Sequence, residues 1–173
     1  MTDLAFRTAE PADVDAIVRL VTDAYRGEAS TAGWTTEDDL LKGQRTDPAM
    51  TEGAVLDPDG EVVLAEADGR LVGCIHVQRS GAGAHFGMFA VDPTLQAAGT
   101  GSALLGRAEE RARAWGCRSM DLEVVAQRAE LIAWYERRGY ARTGETKPFP
   151  YGDERFGIPQ RDDLHFVVLR RDL

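Results

Sequence analysis

The residues best suited to do chemistry in this sequence form a glycine-containing segment at positions 89–102, which reads FAVDPTLQAAGTGS. An apolar run stops near Pro93, and a helical pattern begins after Gly99 and Gly101. The first N–H groups of a helix have no partner within the helix and carry partial positive charge, so they bind anions such as a pyrophosphate. Glycine lets the backbone come close to such a ligand. The segment is therefore predicted to be a phosphate-binding loop.

The spacing of this loop excludes the two common nucleotide-binding signatures. Gln96, Gly99 and Gly101 give the pattern Q-x-x-G-x-G, which is neither G-x-G-x-x-G nor the lysine-containing phosphate loop. A turn with two glycines between a strand and a helix is also common where no ligand binds. The elements around the loop must therefore indicate whether it binds a ligand.

These elements follow the loop in the order helix, strand, helix. Residues 102–115 have apolar side chains at helical spacing, residues 119–125 alternate like a strand, and residues 129–138 form a helix before a glycine. The second helix and the residues that end it have the sequence LIAWYERRGY at positions 131–140.

The loop and the second helix resemble two signatures of the GCN5-related N-acetyltransferase (GNAT) family. These are V-x-P-x-x-Q/R-x-x-G-x-G/A, the acyl-CoA loop, which positions 91–101 match, and A-x-x-x-Y-x-x-x-G-F/Y, which positions 131–140 resemble; the two follow each other in the family's order. The resemblance implies an N-acetyltransferase that moves an acetyl group from acetyl-CoA, as acyl donor, to a primary amine by direct attack. It implies no metal.

The remaining patterns complete the element order β-α-α-β-β-β-α-β-α-β-β. A first helix opens at Pro11 and ends near Gly27, and a short second helix is expected from Thr35 or Thr36 through Leu41. Strands are predicted at 4–8, 61–67, 70–78, 85–91, 119–125, 140–145 and 164–169. The resemblance implies a single α/β (α+β) GNAT domain over residues 1–173, with a mixed, strongly twisted central sheet, helices on both faces, and splayed fourth and fifth strands.

Composition and net charge limit the class of protein and the kinds of partner that are expected. A chain of 173 residues with 43% hydrophobic residues can bury one sizeable core, and it has no apolar run of about 18 residues and no export leader. Cys74 and Cys117 lack metal-binding spacing and are interpreted as reduced thiols, so a cytoplasmic protein without membrane contact is expected. The net charge of −9 argues against a nucleic-acid partner and mildly favours a cationic or amine substrate.

The resemblance also implies which residues contact the cofactor. In the family, the pantetheine arm pairs with the end of the fourth strand and the pyrophosphate meets the loop amides. Many members have an asparagine where this chain has Arg128, so the arm contact is in doubt there, although an arginine could reach a CoA phosphate. The expected cofactor-binding residues are Phe89, Ala90, Val91, Gln96, Ala97, Ala98, Gly99, Thr100, Gly101, Ser102 and Arg128.

Three residues are candidates for proton transfer. Tyr135 occupies the family's tyrosine position, and a phenol with a pKa of about 10 stays protonated and can donate to the departing sulfur. For the base, His85 and Glu123 are both open, and so is a chain of water molecules. His85 begins the fourth strand, where members often carry a carboxylate, and strand alternation places Glu123 on one face of the fifth.

The acceptor is expected to be a small-molecule or peptide amine. By resemblance, its wall comes from residues 25–45 and 146–163, whose aromatic side chains include the candidate substrate-binding residues Tyr25, Trp34, Phe149 and Tyr151. A homodimer is left open. Two other functions also stay open: a catalytically weak acyl-CoA-binding or regulatory domain of the same fold, and an α/β interaction protein whose glycine loop binds no CoA.

Overall fold

The computed structural model describes residues 3–173, without the side chain of residue 28. Within these residues the chain forms nine strands and five helices. The strands are β1 (Leu4–Thr8), β2 (Leu41–Lys42), β3 (Gly60–Ala67), β4 (Arg70–Ser80), β5 (Gly83–Val91), β6 (Ser119–Val125), β7 (Ala141–Pro148), β8 (Ile158–Pro159) and β9 (His165–Asp172). The helices are α1 (Val14–Tyr25), α2 (Gly27–Ser30), α3 (Pro48–Val55), α4 (Thr100–Ala114) and α5 (Ala129–Glu136).

Seven strands form one sheet in the order β1-β3-β4-β5-β6-β9-β7, and β2 pairs with β8 beside it. Neighbouring strands in the large sheet are antiparallel, except that β5 and β6 run parallel. The sheet is therefore mixed, as expected.

Helices cover both faces because buried residues on β3 alternate in direction. Val62 and Leu64 pack in one cluster with α1, whereas Val63 and Ala65 pack in another with α4 and α5. This period-two alternation is the geometry of a strand buried on both sides. It confirms the predicted arrangement with helices on both faces.

The parallel pair separates almost as soon as it forms. Ala84 pairs with Met120 and His85 with Asp121, and the register of β5 with β6 contains no further pair. Both strands nevertheless continue, β5 to Val91 and β6 to Val125. The predicted splay of the fourth and fifth strands, here β5 and β6, is confirmed, and it opens a cleft in the middle of the sheet.

One predicted helix is wrong. Residues 35–41 do not form the expected second helix; they lead through a turn at 38–40 into the short strand β2. The helix of this region lies later, as α3, where Pro48 occupies the first turn and the Asp47 side chain accepts a hydrogen bond from the Met50 amide at 2.7 Å. An aspartate cap followed by proline is a strong helix start.

Candidate active site

Two cavities lie on either side of the end of β5. The first, about 200 Å³, is bounded by the end of β5, the glycine loop and α5, and is called the loop cavity. The second, about 240 Å³, lies between the separating halves of β5 and β6 and is called the sheet cavity. Five residues line both cavities: Tyr25, Phe89, Arg128, Leu131 and Tyr135. Groups bound in the two cavities would therefore meet beside Tyr135.

The glycine loop is built to bring backbone close to a ligand. Gly99 has a φ of 89°, a left-handed conformation that favours glycine, and it is the N-cap residue of α4. Since glycine has no side chain to cap the helix, the first N–H groups of α4 have no partner from that residue. A Cβ atom at Gly101 would stand 3.5–3.8 Å from Trp134, Phe89 and Val91, so a larger side chain would fill the loop cavity.

A cation stands beside this helix start. The Arg138 guanidinium donates to the Ser102 hydroxyl from Nε at 3.0 Å and from Nη2 at 2.6 Å, and its central carbon lies 3.5 Å from the Trp134 ring centre. Together with the positive end of α4, it makes this side of the loop cavity suitable for an anionic group.

The backbone at the end of β5 is already partly hydrogen-bonded. The Phe89 carbonyl accepts a bond from the Tyr25 hydroxyl at 2.5 Å, and the Val91 carbonyl accepts one from the Gln96 side-chain amide at 3.2 Å. A ligand that pairs with this strand would compete with both side chains. The Gln96 Oε1 atom is buried beside Gly33 and accepts no hydrogen bond from the described residues.

Tyr135 combines burial with a free hydroxyl. It is 4% exposed, and its ring packs against those of Phe86, Trp134 and Tyr140 at centroid distances of 5.1–5.9 Å. Burial raises the pKa of the phenol well above its ordinary value, so the group is protonated at neutral pH. No hydrogen bond joins this hydroxyl to another of residues 3–173, and it can therefore donate to a ligand.

The two candidate bases line the sheet cavity in different states. Burial lowers the pKa of His85 below its ordinary value of 6.5, against the opposing effects of Glu123 and Asp121, so His85 is neutral at pH 7 and able to accept a proton. Glu123 is exposed and accepts a hydrogen bond from the Lys147 ammonium at 2.5 Å. Because the Glu123 carboxylate is engaged in that ion pair and His85 is neutral, His85 is the better placed proton acceptor of the two.

Arginines surround a buried carboxylate at the wall of the sheet cavity. Glu37, 5% exposed, forms a short hydrogen-bonded ion pair with Arg26 and a second pair with Arg128 at 3.4 Å, and Arg45 lies 4.0 Å away. Burial alone raises the pKa of Glu37, but the charges of Arg128, Arg26 and Arg45 together hold that pKa below its ordinary value. Arg128 also donates to the Thr35 hydroxyl at 2.7 Å.

Most of the residues predicted to bind the cofactor border the loop cavity. The exceptions are Ala98 and Thr100, which stand in the same loop but do not line it. Those that do are Phe89, Ala90, Val91, Gln96, Ala97, Gly99, Gly101, Ser102 and Arg128.

The four residues predicted to bind the acceptor do not line one common cavity. Tyr25 lines both cavities, Phe149 lines the sheet cavity, and Trp34 lines the loop cavity, where it stacks on Trp134 at 6.4 Å. Tyr151 lines neither; its ring packs on Phe149 at 5.1 Å, and its hydroxyl bonds the backbone of residues 161 and 164.

Sequence reasoning missed Glu37 and Arg138. Glu37 was placed inside the wrongly predicted helix, and its partner Arg128 is 91 residues away, so no local pattern marks the pair. Arg138 carried a weak signal, since cations are common in the last turn of a helix, but that pattern does not reveal a neighbouring helix start.

The sequence model of the acetyltransferase (GNAT) family matches residues 15–140 of this chain. A curated relative, an IAA acetyltransferase of Azospirillum brasilense, is 34% identical over 104 residues. The matched region covers 58% of this chain and 66% of that relative, just under two thirds of its length.

Solved structures show the same fold. An N-acetyltransferase from Staphylococcus aureus Mu50 gives a TM-score of 0.72 at 18% identity, with 99% of each chain covered. The ribosomal-protein-S18-alanine N-acetyltransferase from Escherichia coli gives 0.69 at 18% identity, covering 98% of this chain and 94% of that one. At such identity the likeness concerns the fold, which is the GNAT fold expected from the two motifs.

Two absences apply to residues 3–173. No helix in this range is both long enough and apolar enough to cross a membrane. The same range contains no group of three or more histidine, cysteine, aspartate or glutamate side chains arranged to hold a metal ion.

The buried carboxylate yields a prediction about stability. Glu37→Gln leaves Arg26 and Arg128 buried without their shared counter-charge, and we expect the free energy of unfolding to fall by about 3–5 kcal/mol. Urea denaturation at pH 7 measures this change. The matched control is Glu110→Gln, which breaks an exposed ion pair with Arg107 and should have little effect because solvent screens that pair.

Equal stability of the two variants would contradict this account of the cluster. The contribution of Glu37 also depends on pH, since its pKa is lower in the folded chain. It is present above the unfolded pKa of about 4.3 and is lost as the pH falls through the folded value.

Proposed function

Since the chain belongs to the GNAT acetyltransferase family, we propose that it is an N-acetyltransferase that moves an acetyl group from acetyl-CoA to the primary amine of a small molecule, amino acid or peptide. One observation carries the proposal. A cavity beside a helix start and a second cavity in the split sheet share the protonated, unbonded phenol of Tyr135. This is the arrangement that a donor and an acceptor need in order to react directly.

The loop cavity fits the donor. An open helix start, Arg138 and Ser102 supply positive charge and hydrogen-bond donors for a pyrophosphate, while Phe89, Val91 and Trp134 offer apolar walls. Acetyl-CoA, when bound, supplies an activated thioester whose sulfur can leave.

Proton transfer follows from the states of the site residues. A neutral His85, in the sheet cavity, accepts the proton of the attacking amine, directly or through water. Tyr135, protonated and free of other hydrogen bonds, donates to the departing sulfur at the junction of the two cavities. The phenol and the imidazole thus have complementary roles because burial has shifted their pKa values in opposite directions.

The first test concerns the cofactor loop. Gly101→Val places methyl groups in the loop cavity, and we expect the dissociation constant of acetyl-CoA to rise over a hundredfold. Losing about two hydrogen bonds to charged phosphate groups costs ~3 kcal/mol or more. Calorimetric titration measures the change, and circular dichroism verifies the fold. The control is Gly101→Ala, whose Cβ makes only ordinary contacts at 3.5–3.8 Å; wild-type affinity in folded Gly101→Val would rule out the loop.

The second test concerns Tyr135. Tyr135→Phe keeps the ring and removes the proton donor, so kcat should fall by at least about 100-fold while acetyl-CoA affinity stays unchanged. An amine panel with thiol detection provides the assay, and slow hydrolysis of acetyl-CoA can stand in for it. In the control, Tyr140→Phe removes a buried hydroxyl that bonds Glu109 at 2.9 Å outside both cavities, so stability should change and kcat should not. Wild-type turnover of Tyr135→Phe would refute the acid role.

The third test is the pH profile. Protonated His85 cannot accept a proton, so kcat/KM should rise with pH through a pKa below 6.5, the direction in which burial moves this group. His85→Ala should remove that rise, whereas the exposed His165→Ala should keep it. If His85→Ala retains the rise, Glu123→Gln tests the other side chain. If both variants keep the wild-type profile, water or the ionisation of the amine itself determines it.

A further inference from the structure

We propose that the acceptor carries a carboxylate beside its primary amine, and that Arg45, together with Arg128, binds this carboxylate in the sheet cavity. This inference rests on the proposed function and narrows the acceptor to amino-carboxylate compounds. It is carried by the charge balance of the cavity wall and by hydrogen-bond donors that the described chain leaves unused.

The cluster around Glu37, at the wall of the sheet cavity, is unbalanced in charge. Arg45 and Arg128 line the cavity with Glu37, and Arg26, which does not line it, forms the short ion pair with the same carboxylate. One carboxylate among three guanidinium groups leaves two positive charges without a counter-charge in the cluster. The other charged groups of this wall do not compensate, because Glu123 is paired with Lys147 and His85 is neutral. A chain with a net charge of −9 thus carries a local excess of positive charge beside this cavity.

Arg45 is the cation best able to receive a ligand. Its only ion-pair contact among residues 3–173 is with Glu37 at 4.0 Å, and it makes no hydrogen bond within that range. Its central carbon lies 4.7 Å from the Tyr25 ring centre, and the side chain is 29% exposed. Stacking of this kind holds a guanidinium in place while its N–H groups stay available, and those groups match a carboxylate in two-point geometry.

Arg128 supplies a second unused donor. The residue is 4% exposed, and its Nε atom is buried with no hydrogen-bond partner among the described residues. An unpaired buried N–H of a charged group is costly, so its presence in a cavity wall needs an explanation. An anion that also contacts Arg45 would provide one.

The positions of Arg45 and Arg128 suit an acceptor in which the carboxylate is close to the amine. Arg128 lines both cavities together with Tyr135, and Arg45 stacks on Tyr25, whose hydroxyl bonds the Phe89 carbonyl at the end of β5. A carboxylate held here would keep its amine near the junction where the thioester is expected. Arg45 does not line the loop cavity, so it is not placed to bind the phosphates of the cofactor.

The experiment compares acceptors that carry a free carboxylate with the corresponding carboxamides. After acetyl-CoA binding is established by calorimetry, the twenty L-amino acids are assayed beside their carboxamides and simple alkylamines. We expect the best acid to exceed its carboxamide by about ten- to a hundredfold in kcat/KM, the usual effect of hydrogen bonds between charged groups. The carboxamide has the less basic amine, hence the larger neutral fraction, so this comparison is biased against the proposal.

Variants assign the effect to the arginine. Arg45→Gln should remove the preference for the acid mainly by raising the KM of the acid, because an anchoring contact acts equally in ground and transition states. Arg45→Lys should restore part of it, and the exposed Arg113→Gln on α4 should not alter it. As a readout independent of catalysis, the best acid should raise the Tm of the CoA-bound wild type and not that of Arg45→Gln.

The outcomes separate the two proposals. If acetyl-CoA does not bind, both the acetyltransferase function and the carboxylate site are wrong. If it binds and amines are acetylated, but no acid surpasses its carboxamide or Arg45→Gln keeps the preference, only the carboxylate site is wrong. Acetylation of amines together with loss of the preference in Arg45→Gln, through a raised KM for the acid, supports both.

Discussion

The parting of β5 from β6 after two residue pairs is the constraint on which the rest of the site depends. A strand that leaves its neighbour in the middle of a sheet exposes backbone carbonyls and amides that must be satisfied in some other way. Here Tyr25 reaches the Phe89 carbonyl from α1, and Gln96 folds back from the glycine loop to the Val91 carbonyl. The elements that supply these donors also form the walls of the two cavities. The hydrogen bonds that satisfy the separated strand therefore also hold the walls of the site in place.

Buried charge holds the outer wall of this cleft in position. Glu37 connects Arg26, at the end of α1, with Arg128, at the start of α5, and Arg128 in turn bonds Thr35. A buried ion pair adds little net stability compared with apolar packing, yet removing one partner is costly, so such pairs specify an arrangement more than they strengthen it. In this chain the ion pairs of Glu37 specify that the segment 26–45 lies beside the split between β5 and β6.

Global and local electrostatics point in opposite directions. A net charge of −9 suggests a cationic partner, whereas the buried cluster beside the sheet cavity holds three guanidinium groups around one carboxylate. Net charge reports on solubility and long-range attraction, while recognition depends on groups within a few ångströms in a site of low dielectric. Burial has a similar local effect on Tyr135 and His85, whose pKa values move apart although both side chains border the same cavity.

The sequence by itself determined the glycine loop, the two motifs, the strands around them and therefore the fold, because each depends on periodicity and on residues with special backbone demands, such as Gly99 at a φ of 89°. It did not reveal α3 in place of the expected helix at 35–41, where the pattern of Thr36 and Asp39 was ambiguous. Only the tertiary structure joined Glu37 to Arg128 across 91 residues and Tyr25 to Phe89 across 64. Hydrogen bonds and ion pairs between distant residues leave no local pattern, since their geometry exists only once the chain has closed around the split sheet.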